Sequence, residues 1–290
     1  MTAAVYAARK KIDCLLLTNN IGGMAAWSAG VENYMGYSLI GGAELMAKFE
    51  EQVQEFGIPV VYKQVEKIEK EDSTFKVIVE GGETFQAKSV IVASGRSPRR
   101  LNVPGEMEFL GRGVTFCATC DAPLFKKMDV AVIGGGNSAL TAAEQLVKIA
   151  SKVNIISYAG WNADPIIQER VLRAKNIEVY KGYEVLAIEG HNLVEKIKIK
   201  ARKTGEEIEI PVRGVFIEIG SEPNSGLVKG LAELDDKQEI VVDCHNRTSV
   251  EGLFAAGDVT NVPEKQIIIA AGEGAKAALA AYDYLIRLPD

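Results

Sequence analysis

One stretch limits the folds open to this 290-residue chain more than any other. An apolar run, Val130 to Ile133, leads straight into Gly134-Gly135-Gly136-Asn137-Ser138-Ala139, and a helical pattern from Ser138 to Ile149 follows. A second apolar run, Val153 to Ile156, completes a strand–helix–strand unit. Gly134, Gly136 and Ala139 match the GxGxxA spacing. In that spacing the first position makes the turn, the second lets the backbone approach a pyrophosphate, and the third packs helix on strand. The match is weak alone, but its place between strand and helix points to a nucleotide whose phosphates meet free N–H groups at the helix start.

Gly134, Gly136, Asn137, Ser138 and Ala139 are therefore candidate pyridine-nucleotide contacts, with Ser157 at the end of the next strand. A site for NAD wants an acid at that strand end and a site for NADP an arginine. Ile156-Ser157-Tyr158 supplies neither, and Arg170 and Arg173 read as solvated charges on the helix beyond.

Just upstream stands Cys117-Ala118-Thr119-Cys120-Asp121. Two thiols at this spacing beside a dinucleotide fold point to thiol–disulfide chemistry fed with electrons by a bound cofactor. Structural zinc is the competing reading, and it needs four ligands. The remaining candidates are Cys14, Cys244, His191 and His245, and the adjacent Cys244 and His245 would point to opposite faces of a strand. Cys14, inside the apolar run Ile12 to Leu17, reads as a small buried hydrophobe, and Cys244 as structural.

The length allows two domains, and 47% hydrophobic with 25% charged residues is a soluble globular mixture. No apolar run is long enough to span a bilayer, and Met1-Thr2-Ala3-Ala4 opens no signal peptide, so a cytoplasmic location is expected. Few cysteines agree with a reducing compartment. A net charge of −6 disfavours nucleic acid as a partner.

Along the chain, Thr2 to Lys11 reads as a helix running into a strand at Ile12 to Leu17. A helix from Ala43 to Phe56 precedes an antiparallel meander, Val60 to Phe85, turning at Gly81-Gly82, and a buried strand, Ser89 to Ala93, that ends at Ser94-Gly95. Arg96 to Gly113 reads as a linker. After the βαβ unit, Lys196 to Ala201 and Glu207 to Val212 suggest a second meander before the strand Val215 to Ile219. The chain closes with a strand, Leu253 to Ala256, and a helix, Gln266 to Leu285, that return to complete the first unit. The expected fold class is α/β, with two Rossmann-like nucleotide-binding domains, each carrying a small antiparallel meander, the second inserted into the first. Residues 1–110 and 246–290 would form one nucleotide-binding domain, and 111–245 a pyridine-nucleotide-type domain carrying the CxxC.

Gly257-Asp258 at a strand end either caps a turn or accepts hydrogen bonds from ligand hydroxyls. With Gly22-Gly23 and Gly41-Gly42, the flavin reading is the better one.

The segments Thr2-Ala3-Ala4-Val5-Tyr6-Ala7-Ala8-Arg9, Gly22-Gly23, Val31-Glu32-Asn33-Tyr34, CATCD, GGGNSA, FAAGDV and Lys265 to Gly274 together resemble the low-molecular-weight thioredoxin reductases and the related flavoprotein component of alkyl hydroperoxide reductase. The resemblance implies that Cys120 faces the flavin, Cys117 attacks a partner disulfide and Asp121 is the general acid. It implies FAD contacts at Gly22, Gly23, Asn33, Ala93, Ser94, Gly95, Gly257, Asp258, Lys265, Gln266 and Ile267. It also implies a thioredoxin-like or glutaredoxin-like protein partner, a homodimer, and a smaller domain that rotates to show its dithiol to flavin and partner in turn.

The chain departs from the family at Met24, Ala122, Thr141, Ala142 and Ser157-Tyr158-Ala159, the last replacing a basic triplet. NADPH, NADH or another reduced donor stay open. The resemblance also places a strand and a GxGxxG fingerprint before Thr2, where this sequence opens with Met1, so the FAD-binding domain formed by 1–110 and 246–290 is expected to be N-terminally incomplete. A non-catalytic nucleotide-binding scaffold is the alternative reading.

Overall fold

The computed structural model describes residues 1–28 and 30–288. It opens with helix α1 (Thr2–Arg9), strand β1 (Leu16–Thr18) and a 3-10 turn at Gly23–Trp27. Helix α2 (Gly42–Glu55) buries Leu45, Met46 and Val53 on one stripe and stops at Gly57, whose φ of 65° a helix cannot continue. Strands β2 (Val60–Tyr62), β3 (Val65–Glu71), β4 (Thr74–Val79), β5 (Thr84–Ala87) and β6 (Val90–Val92) follow. Only β3, β4 and β5 form the antiparallel meander. The expected meander thus loses its first member, because β2 pairs in parallel with β1, Leu16 opposite Val60. A half-buried apolar run reads the same in either pairing.

The stretch expected as a linker holds β7 (Arg96–Pro98) and leads to β8 (Val114–Thr115). The short helix α3 (Ala118–Asp121) and strand β9 (Asp129–Ile133) come next, then α4 (Asn137–Leu146), β10 (Lys152–Ser157), α5 (Pro165–Leu172) and β11 (Ile177–Lys181). The second meander is three-stranded: β12 (Tyr183–Gly190), β13 (Val194–Ala201) and β14 (Glu207–Pro211). Strand β15 (Gly214–Ile217) returns to the parallel sheet, β16 (Ser221–Pro223) pairs antiparallel with β7, and β17 (Leu253–Ala255) pairs in parallel with β6. Helix α6 (Ile267–Leu285) ends the fold.

The parallel sheet runs β11-β10-β9-β15-β8. Alternation along β9 sends Val130 and Val132 into a core with Leu140, Leu146 and Val171, while Ala131 and Ile133 meet Ile188, Ile197 and Ile199 of the second meander. Helices α4 and α5 therefore cover one face and the meander the other, which is why β9 is apolar from Val130 onward. Burying leucines such as Leu140 and Leu146 contributes about 1.5–3 kcal/mol each.

The β6–β17 pair repeats the plan. Leu253 and Ala255 pack with Phe75 and Val77 of the first meander, and Phe254 and Ala256 pack on Ala277, Ala280 and Ala281 of α6. Each nucleotide-type unit thus carries a meander on one face and helix on the other. No helix among the described residues is long and apolar enough to cross a membrane.

Candidate active site

Strand β8 delivers the chain to Cys117, which caps α3 and accepts the Cys120 amide on its sulfur at 3.2 Å. Cys117 and Cys120 are joined as a disulfide, with Cα atoms 5.3 Å apart. Asp121, on the same turn, is 3% exposed. Its carboxylate accepts hydrogen bonds from Thr115 Oγ1 and, at 2.7 Å, from Ser28 Oγ. Burial pushes Asp121 above the usual carboxylate range, and bonds from Thr115, Ser28 and the Gly30 backbone oppose that push. Trp27 tilts against Phe116 with ring centroids 6.3 Å apart, so the end of the Gly23–Trp27 turn lies against the residue that precedes Cys117.

The glycine turn has the geometry its spacing predicts. At Gly134, φ is 142°, and a Cβ there would stand 2.3 Å from the Glu218 carbonyl oxygen and 2.8 Å from Ala139 Cβ. The first helical bond runs from the Leu140 amide to the Gly136 carbonyl, leaving the amides of Asn137, Ser138 and Ala139 without a hydrogen-bond partner among the described residues. Gly136 has open space apart from Asn162 Oδ1 at 3.5 Å. Ser157 is buried at the end of β10, and its hydroxyl has no partner among the described residues. Free amides, a glycine cradle and an orphaned hydroxyl fit a bound pyridine nucleotide. Asn137 is turned aside: its side-chain oxygen accepts from the Asp164 amide at 2.7 Å and its nitrogen reaches the Asp164 carboxylate.

Two cations that sequence reasoning missed stand at the same strand end. Lys181, opposite Ser157 on β11, lies 4.2 Å from the Trp161 ring centroid. Arg202 lies 3.8 Å from that of Tyr158. Only cross-strand register reveals them, since Arg202 is carried in by its backbone bond to Gly182. Arg170 and Arg173 are exposed beside Glu144 and Glu169.

The residues expected around FAD fall into four groups. Gly257, with φ of 77°, rests against Ala270 of α6, and its amide donates to Glu273 Oε2 at 2.7 Å. The Asp258 side chain has no hydrogen bond among the described residues, and burial raises its pKa against the pull of Lys265 and Arg96. An unpartnered, desolvated carboxylate at a strand end fits a ligand bearing hydroxyls, as FAD does. Lys265 Nζ bonds the Thr260 carbonyl at 2.6 Å and approaches Glu239, which also holds Arg96 at 2.5 Å. This Arg96–Glu239–Lys265 set was not legible in the sequence, its members lying far apart.

Gln266 caps α6 ahead of Ile267, and its oxygen accepts from Asn33 Nδ2 at 2.9 Å. Ala93-Ser94-Gly95 forms the turn after β6, held by Asn224 through the Ser94 hydroxyl and carbonyl. Gly22 and Gly23 open the 3-10 turn, with the Gly23 amide bonded to Asn20.

Both remaining cysteines depart from expectation, Cys14 lying ahead of β1 and not inside a strand. Cys14 is half-buried, but Cys244 is exposed, because it sits in a turn where the Asp243 carboxylate accepts the His245 and Arg247 amides.

A family described as pyridine nucleotide-disulphide oxidoreductase matches residues 1–274. The chain belongs to this family. Thioredoxin reductase from Streptococcus pyogenes MGAS5005 is 36% identical, with a TM-score of 0.93 over 99% of this chain and 94% of that one. Lactococcus lactis thioredoxin reductase in its FR conformation is also 36% identical, over 99% of this chain and 95% of that one, yet its TM-score is 0.67. An alkyl hydroperoxide reductase component of Staphylococcus aureus (strain MSSA476) is 39% identical over 288 residues, 99% of this chain. The chain spans 57% of that relative's length. Family membership implies FAD and a pyridine nucleotide, and the closed cysteine pair does not favour the scaffold reading.

Proposed function

We propose that the chain is an FAD-dependent disulfide reductase of the thioredoxin reductase type, passing electrons through Cys117 and Cys120 to a small thioredoxin-like or glutaredoxin-like protein. One observation carries this reading: the Cys117–Cys120 disulfide is closed beside a buried acid that bonds Ser28 of the other nucleotide-type unit. Bound FAD would supply the two electrons that open the disulfide. Cys120 is the flavin-facing sulfur and Cys117 the one that attacks the partner, while Asp121 holds the proton that a leaving thiolate needs. Asp258, Lys265, Gln266, Ile267, Asn33, Gly257, Gly22, Gly23 and the turn Ala93 to Gly95 hold FAD. Gly134, Gly136, Ser138, Ala139 and Ser157 hold the coenzyme, and Asn137 fixes the loop beside it.

The domains are 1–110 with 246–290, and 111–245. The five-stranded sheet, running from Val114 to Ile217, lies within the second. Equal identity with unequal TM-scores for two thioredoxin reductases supports a fold whose halves take more than one arrangement. A homodimer is supported by Ile268, Leu279 and Ile286, exposed on the C-terminal helix and its end.

The test is purified protein supplied with FAD, its flavin band followed as NADPH or NADH is added, and then a thioredoxin disulfide. The band should bleach and recover with partner reduction. Bleaching without reduction of any dithiol partner would overturn the reading.

A further inference from the structure

Glu218 has no part in the scheme above, yet its carboxyl bonds the peptide that follows Cys117. It follows β15 directly, and its amide bonds the Ile133 carbonyl at 2.8 Å. Strands β15 and β8 run in parallel with Phe216 opposite Thr115. Two residues farther along each strand's course come Glu218 and Cys117. Oε1 of Glu218 accepts the amide of Ala118, the residue after Cys117, at 3.3 Å.

The two acids flanking the cysteines are held differently. Asp121 is bonded partly by Ser28, from the loop after the Gly23–Trp27 turn. Among the described residues the Glu218 carboxyl is bonded only by the peptide that follows Cys117, just beyond the ends of two adjacent strands of one sheet. No cation is supplied to Glu218 by the elements packed on it among the described residues. The turn Gly134 to Gly136 carries no charge, β8 is Val114–Thr115, and α3 offers only Asp121 and the cysteines. Burial raises the Glu218 carboxyl to about 7, so it titrates where a reactive thiol does.

We propose that Glu218 is a positioning residue for Cys117, sharing one proton with its thiol in the reduced protein, so that the thiolate forms as the carboxyl takes the proton. This rests on reading Cys117 and Cys120 as the redox pair. In the exchange, the Cys117 thiolate attacks one sulfur of the partner disulfide, forming a mixed disulfide and expelling a thiolate that takes up a proton. Cys120 then attacks Cys117 Sγ, re-forming the internal disulfide and releasing the second partner thiol. Two electrons and two protons leave with the reduced partner, and Glu218 stores one of those protons while Cys117 is ionised. Because Glu218 belongs to the sheet that carries the cysteines, it stays with them when the contact to Ser28 is broken.

The experiment is iodoacetamide alkylation of the dithiothreitol-reduced, flavin-loaded protein against pH, with Cys14→Ser and Cys244→Ser in every sample and the modified cysteine identified by peptide mass. Two coupled groups titrate in two steps. Cys117 alkylation should rise in two steps, Glu218→Gln should leave one step with its midpoint lower by about one pH unit, and Glu218→Asp should keep two. Superimposable profiles for the parent and Glu218→Gln would overturn the proposal. Should Glu218→Gln fail to fold, infrared difference spectra of the unsubstituted protein serve instead. A carboxyl titration that moves to higher pH on reduction supports the coupling, and one that does not move refutes it. Neither readout needs a partner protein, so a failure of thioredoxin reduction is told apart from a failure of the coupling.

Discussion

Ser28 Oγ donates to Asp121 Oδ1 at 2.7 Å, joining two residues 93 positions apart. It fastens the dithiol turn to the loop that follows Gly22-Gly23. Ser28→Ala removes that donor and leaves Asp121 with fewer groups to stabilise its anion. Stability should fall by about 1 kcal/mol, read from urea unfolding, and electron transfer from flavin to the disulfide should slow in stopped-flow traces.

Replacing either sulfur should separate their roles. Cys120→Ser is expected to keep bound FAD but lose electron transfer from flavin, since no cofactor contact is removed. Cys117→Ser should retain a thiol beside the flavin and lose attack on the partner. Disulfide reductase activity surviving in either variant would contradict the assignment.

The raised carboxyls set a pH dependence whose sign can be worked out. Glu218, at about 7 in the folded protein against an ordinary 4.5, binds its proton more tightly when folded. Its contribution is full below pH 4.5 and is lost as pH rises through 7, with Asp121 and Asp258 acting in the same direction. Glu218→Gln should flatten this fall by about 3 kcal/mol at most, measured as unfolding free energy at about pH 5 and pH 8.

Glu239 neutralises Arg96 and Lys265 at once, and its side chain is only 9% exposed. Glu239→Ala leaves two cations without their shared partner near Asp258, at a cost of about 3 kcal/mol. FAD content and melting temperature should both drop. Unchanged flavin stoichiometry would show that Asp258 and the Asn33–Gln266 pair hold the cofactor unaided.

At the end of β10, Arg202→Ala removes a cation stacked on Tyr158. A 2′-phosphate is the feature that distinguishes NADPH from NADH, so the KM for NADPH should rise several-fold while that for NADH holds. Equal change with both coenzymes would place Arg202 outside the phosphate's reach.

What the sequence discloses follows how locally each feature is encoded. The CxxC and Gly134 to Ala139 lie within short spans, so spacing alone finds them. The continuous apolar run of β9 is likewise written in neighbouring residues. Val60 to Tyr62 misleads because its partner, Leu16 to Thr18, is distant and parallel, and three apolar residues do not specify pairing direction. Glu239 with Arg96, Glu218 with Ala118, and Lys181 with Ser157 are meetings across the fold. A single sequence holds no trace of such meetings, since a charged residue on its own reads as surface.

The chain leaves β6 through β7 and comes back from the parallel sheet through β16, and these two crossings are paired, Ser221 to Pro98 and Pro223 to Arg96. Arg96 tightens the pairing through the Ser221 hydroxyl and carbonyl. A body hung from one loose cord can tumble in any sense, whereas two cords stitched together bend about a single line. Such a ribbon would confine the proposed swing of the cysteine-bearing half to an arc, so a crosslink between Ser97 and Glu222 should spare that swing while one between Ser28 and Asp121 should abolish it.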